Sequence, residues 1–141
     1  MLSSIAVRDD GDQVLSLGRQ HQAVEDAVKA AGVGWMILRC GGFAASTLTW
    51  SASVRAEGVV RFPYGQAALA PIAEQGIAAA AARVLPDPGH AGQTYVLTGA
   101  DSLTQIQQAE AIGTAIGRPV RFEELTPGQF RPPPPSISRH P

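Results

Sequence analysis

Asparagine is absent from the 141 residues, lysine occurs once, at Lys29, and cysteine once, at Cys40. Without asparagine there is no acceptor for N-linked glycosylation. A single cysteine excludes an intramolecular disulfide, and no group of Cys and His has zinc-ligand spacing. Long apolar runs are also missing. The longest, Ile77 to Ala82, is mostly alanine, ends at Arg83 and is far too short to span a bilayer. The N-terminus lacks the basic region, apolar run and small-residue cleavage site of a leader, so a soluble cytoplasmic chain is expected. Charge is scarce, at 16% of residues with a formal net charge of −1, which gives no electrostatic reason to expect nucleic acid or an acidic membrane.

Several catalytic and binding signatures are missing as well. A dinucleotide-binding turn needs glycines after a strand, where backbone can approach a pyrophosphate at a helix N-terminus. The one close pair of that form, Gly32 and Gly34, follows a helical pattern and precedes an extended one, and the third glycine is absent. No phosphate loop ends in Gly-Lys, and no Gly-x-Ser-x-Gly nucleophile turn occurs. A tyrosine four residues before a lysine is impossible, because Glu25 holds that position before Lys29.

Hydrophobic residues nevertheless make up 45% of the chain, which is a globular composition. A folded chain of this length buries roughly 70% of its unfolded surface. Leu2-Ser3-Ser4-Ile5-Ala6-Val7 reads as a short strand, with a loop from Arg8 to Asp12. Val24, Ala27, Val28 and Ala31 recur at spacings of three and four, which predicts an amphipathic helix from Leu17 to Ala31 stopped by Gly32. Trp35-Met36-Ile37-Leu38, ending in Arg39, reads as a strand covered on both faces. Strand, helix and strand in this order predict a parallel crossover, whose first strand has nothing upstream to pair with.

Further along, a helix is expected from Phe43 to Ala56, a strand over Val59–Phe62 and a helix from Ile77 to Leu85. Thr94–Thr98 alternates and is β-branched, which predicts a strand. Ser102 and Gln105 have capping-box spacing ahead of a helix carrying Leu103, Ile106, Ala109 and Ile116 on one face. Pro119 to Leu125 is read as extended. Residues 1–130 are therefore expected to form one α/β domain, and 131–141 a proline-rich tail of polyproline II character.

Ser3 and Ser4 end a strand, where open α/β sheets place ligands, or else are simply serines leading into a loop. His21 and Glu25 lie one helical turn apart, a spacing that lets them share a proton or that occurs on any solvated face. Arg39 at the end of a buried strand suits a phosphate or carboxamide, or an acid of its own. Cys40 reads as a small buried hydrophobe, and Trp35, Phe43 and Trp50 as core.

The order of these segments closely resembles the second half of the NmrA-like proteins, atypical members of the short-chain dehydrogenase/reductase superfamily. The likeness continues through Ala70-Pro71-Ile72, Gly76-Ile77-Ala78, Gly92 to Gly99, Ser102-Leu103-Thr104 and Ile116-Gly117-Arg118-Pro119, so that it covers roughly Leu2 to Leu125. The resemblance implies part of a Rossmann-like parallel sheet with a small C-terminal α+β substrate region. It implies NADP or NAD as cofactor, with Ser3, Ser4, Arg39 and Phe43 bordering the nicotinamide. By the same resemblance His21 takes the place of the superfamily lysine and Leu17 that of the tyrosine, which removes the usual proton donor. Cys40 departs from the family's proline after the arginine, and Gly76 from its aspartate before Ile77.

These readings lead to an NAD(P)-dependent oxidoreductase-like chain acting on a small molecule, but without the glycine-rich half. It is expected to bind little or no cofactor by itself, and to associate with a second copy or a complementary N-terminal half. The alternative is a non-catalytic regulatory or interaction module.

Overall fold

The computed structural model describes residues 1–7 and 16–130. The expected loop from Arg8 to Asp12 and the proline-rich tail lie outside the described residues. The elements run β1 (Leu2–Ser4), α1 (Ser16–Ala30), β2 (Ile37–Cys40), a 3₁₀ segment (Ala44–Trp50), α2 (Ser51–Glu57) and β3 (Val59–Phe62). There follow β4 (Ala68–Leu69), α3 (Glu74–Val84), a 3₁₀ turn (Pro88–His90), β5 (Thr94–Leu97), β6 (Leu103–Thr104), α4 (Gln105–Ala115) and β7 (Arg121–Glu124). They fall into two compact units, one of residues 1–46 and 69–102, the other of 47–68 and 103 onward.

The first unit holds a three-stranded sheet in the order β1-β2-β5, with both pairings parallel. Every residue of β2 is buried, as the continuous apolar run requires of a central strand covered on both faces. The strand sits two residues later than the sequence suggested, because backbone groups of Trp35 and Met36 are taken by Gly92 and the Met1 amine. Arg39 and Cys40 thus become buried residues of the strand, with Cys40 its last. On one face Cys40 packs with Ile72, Ile77 and the partly buried Leu97. β1 is shorter than expected. The Ser4 carbonyl accepts from Val7 N and its Oγ from Ala6 N at 3.1 Å, so the chain turns there.

The helix α1 differs from its pattern in an instructive way. The expected apolar face included Val24, yet Val24 is 53% exposed, while Gly18 and Glu25 are buried. Periodicity identified the helix but not the side it buries, because a buried arginine on β2 calls for an acid more strongly than the sheet calls for a valine. Gly32, at φ 71°, ends the turn after α1 in the left-handed region as expected.

In the second unit β3 and β7 pair in parallel, Val59 to Arg121 through Phe62 to Glu124. Trp50, Val54, Val60, Ala109 and Val120 form its core, with Phe62, Ile112 and Phe122 packed against them. The expected helix from Phe43 to Ala56 is 3₁₀ up to Trp50, since Ser46, Thr47 and Thr49 are poor helix formers, and α-helical only from Ser51. Gly58 closes it at φ 67°. The capping box falls at Thr104 and Gln107, two residues beyond the expected pair, because Leu103 and Thr104 are extended. Thr104 Oγ1 accepts from Gln107 N at 3.1 Å and Gln107 Oε1 from Thr104 N at 2.8 Å. Among the described residues no helix is long and apolar enough to cross a membrane.

Candidate functional site

Parallel pairing brings the C-terminal ends of three strands to one edge of the sheet. Ser4 lies opposite Cys40, and Cys40 opposite Leu97. Their backbones continue the ladder into the loops, Ile5 N donating to the Cys40 carbonyl at 3.0 Å and Gly41 N to the Leu97 carbonyl at 2.8 Å. In open α/β sheets this is the edge where ligands bind. Phe43 directly follows the Gly41-Gly42 pair after β2 and is 47% exposed, and its backbone bridges to Ile72. The Phe43 reading as core is therefore corrected: its ring lies at the surface of the loop. Gly99, after β5, sits so close to Pro71 that a Cβ would lie 2.2 Å from the Pro71 carbonyl oxygen, so no other residue fits there without a backbone shift.

One strand-step below that edge, Ser3 and Arg39 are register partners. Both reach the same group on α1. Ser3 Oγ donates to Glu25 Oε1 at 2.5 Å, while Arg39 Nε donates to Oε1 at 3.0 Å and Nη2 to Oε2 at 2.9 Å. Lys29 Nζ, 3.6 Å from Oε2, adds a second positive charge from the next helical turn. Glu25 is fully buried and Arg39 nearly so. Burial by itself raises the carboxyl's pKa. The hydrogen bonds from Arg39 and Ser3 and the charges of Arg39 and Lys29 outweigh it, and hold Glu25 below its ordinary value. At neutral pH the group is an anion clamped on two strands.

Of the residues singled out from sequence, the structure thus joins Ser3 and Arg39 through Glu25, sets Ser4 beside them and puts Phe43 in the adjoining loop. His21 is not joined to Glu25, which corrects the proton-sharing reading. The physical reason is that Glu25's oxygens are engaged by Ser3, Arg39 and Lys29. His21 Nδ1 lies 2.9 Å from the Leu17 carbonyl. A carbonyl can only accept, so Nδ1 donates to it and carries a proton. Cys40 is buried and burial pushes its thiol up, so it is not a ready nucleophile. Among the described residues no cluster of three or more His, Cys, Asp or Glu can hold a metal ion.

Sequence reasoning missed Glu25 as the centre of the network. The signal was there: an arginine within an apolar strand run demands a carboxylate, and only the preceding helix offers one at a position flanked by a lysine a turn away.

The fold, a parallel sheet with its strand ends on one edge, is that of Rossmann-like reductases, and the comparisons with known proteins agree. No family model matches the chain. The chain is 36% identical over 124 residues to the (4-alkanoyl-5-oxo-2,5-dihydrofuran-3-yl)methyl phosphate reductase of Streptomyces griseus, covering 88% of this chain and 44% of that enzyme. It is 31% identical over 115 residues to the NAD(P)H azoreductase of Xenophilus azovorans, covering 82% of this chain and 40% of the relative. The crystal structure of an NADPH-dependent quinone oxidoreductase from Escherichia coli, also solved in complex with NADPH, superposes with a TM-score of 0.75 at 27% identity. That superposition covers 92% of this chain and, in the structure without NADPH, 46% of the other. The chain spans less than half the length of the curated relatives it matches. The curated relatives and the quinone oxidoreductase are reductases or oxidoreductases, NAD(P)H-dependent where their reductant is stated, and they lend the regulatory alternative no support.

Proposed function

We propose that the chain is the nicotinamide- and substrate-side portion of an NmrA-like, NAD(P)H-dependent reductase acting on a small electrophile. The observation that carries this reading is the shared edge of three parallel strand ends, in a chain whose relatives are reductases. The described residues fit one end of a dinucleotide. Ser4 Oγ accepts from Ala6 N, which leaves its hydroxyl proton free to donate, and the exposed Phe43 ring, in the loop after the neighbouring strand β2, offers an apolar surface. The sequence has no glycine-rich turn for the pyrophosphate. When bound, a reduced nicotinamide supplies the hydride.

In this reading Ser4 and Phe43 touch the cofactor. Ser3 and Arg39 act through Glu25, fixing β1 and β2 so that their ends hold a constant spacing. His21 Nε2, with its tautomer set by Leu17, is the candidate proton site. The partner is a segment that adds a parallel strand to β1, which among the described residues pairs only with β2 and leaves Leu2 58% exposed. Such a segment is either a complementary N-terminal half or a second copy.

The test joins this chain to the part of the Streptomyces griseus reductase that it does not match. The chimaera's fold is checked by circular dichroism, its NADPH affinity by calorimetry and its quinone-dependent NADPH oxidation by absorbance. The isolated chain is expected to bind NADPH weakly or not at all, and the folded chimaera to bind and oxidise it. A folded chimaera that neither binds nor oxidises NADPH overturns the reading. So does an isolated chain that reduces quinones at ordinary enzyme rates, as far as its dependence on another segment is concerned.

A further inference from the structure

The second unit carries a cleft that the strand-end site does not use, between the start of α2 and the end of α4. Its volume is about 370 Å³, at the small end of the range for organic ligands. Trp50, Val54 and Ile112 supply an apolar lining, and Trp50 and Val54 are themselves buried core residues. Ile116 and Leu48, also lining it, keep 47% and 69% of their surface exposed, so the apolar wall runs out to the rim.

Two arginines, Arg55 and Arg118, share this lining, and no acidic residue does. That is notable in a chain with 12 acidic residues against 11 Lys and Arg. Elsewhere in the same unit Arg61 is held by both Glu57 and Glu123. Among the described residues no carboxylate pairs with Arg55. Arg118 is fixed differently, its Nη2 donating to the Val54 carbonyl at 2.6 Å and the Arg55 carbonyl at 3.2 Å, which caps the end of α2. These bonds hold the Arg118 head in place without neutralising its charge.

We propose that this cleft binds an amphipathic anion, a carboxylate carried on an apolar body the size of a medium-chain fatty acid. The apolar part lies against Trp50, Val54 and Ile112, and the carboxylate meets Arg55, with the charge of Arg118 beside it. The proposal does not depend on the reductase reading, and its test needs no nicotinamide.

Calorimetry on the unaltered chain, with octanoate, octanol and octyltrimethylammonium as probes, tests it first. Saturable binding of octanoate is expected, with octanol about ten-fold weaker and the cation not binding, since a charge-assisted contact is worth at least that factor. Arg55→Gln should weaken octanoate about ten-fold and leave octanol unchanged. Ile116→Glu, a change at an exposed position, should abolish octanoate binding. In a Trp35→Phe chain Trp50 is the one remaining indole, and its emission should shift in step with octanoate occupancy. Equal binding of octanoate and octanol, no effect of Arg55→Gln, or no saturable octanoate binding each overturns the proposal.

Discussion

The two units solve the problem of an interior in opposite ways. The first buries a charge: Glu25, Arg39 and Ser3 lie inside, where valines and leucines would pack at no electrostatic cost. The second buries Trp50, Val54, Val60, Ala109 and Val120, and leaves its ion pairs at Arg61 in the solvent. Taking two charges out of water costs several kcal/mol per ion, and a buried pair is seldom worth more than the apolar side chains it displaces. A unit that keeps one directly beneath its strand ends is therefore using it for geometry. The carboxylate ties helix α1 to β1 and β2 at fixed distances, which loosely packed apolar side chains do less exactingly.

The contrast breaks most visibly at Glu25. Glu25→Ala removes the carboxylate that holds the buried Arg39 and Ser3 together, and should lower unfolding stability by about 3–5 kcal/mol, read from urea midpoints. The double change Glu25→Leu with Arg39→Met should recover most of that loss, and if it does not, the pair contributes more than balance of charge. Acid sharpens the same point. Because Glu25's pKa is depressed in the folded chain, its contribution is full above the ordinary value of 4.5 and is lost as pH falls through the lowered one. Midpoints of the parent should decline in that window more steeply than those of the double variant.

Changes in the second unit should cost less. A Cβ at Gly113 would lie 3.0 Å from the Arg118 carbonyl oxygen and from Val120 N, so Gly113→Ala should destabilise by about 1–3 kcal/mol. Thr104→Ala removes the capping box of α4 and should cost about 1 kcal/mol, with helix content falling in circular dichroism. Glu57→Gln should leave the thermal midpoint unchanged within error, because the pair it breaks is solvated and Arg61 retains Glu123. A drop there as large as that of Thr104→Ala would show that the surface pairs of this unit matter as the buried one does.

Particular residues show how far the sequence could be read. Val59–Phe62 is a strand within the bounds its β-branched run suggested, and Gly32 ends the turn after α1 as its position implied. Local chemistry decided those cases. Where the decision was tertiary, the reading slipped. Val24 looked inward by periodicity and faces out, because Arg39 selects the face of α1 that carries Glu25. The Ser102 and Gln105 pair fits a capping box as well as Thr104 and Gln107 do, and only the extended backbone of Leu103–Thr104 chooses between them. Ser3 and Arg39 were legible as candidates because they fall near the ends of expected strands, and the structure sets each one residue before its strand's last. Their common partner was not, since spacing shows His21 and Glu25 as neighbours but cannot show which oxygen is already engaged.

The position of Lys29 has a practical side. It is the one lysine in the chain, and its ammonium lies 3.6 Å from Glu25 and 5.6 Å from the centre of the Trp35 ring. Lys29 is therefore the single side-chain amine that an acylating reagent can strike, at the doorstep of the buried carboxylate. Acetylation there erases one of the two cations that hold Glu25 ionised, so that a single covalent label becomes both the reporter and the perturbation of the same network.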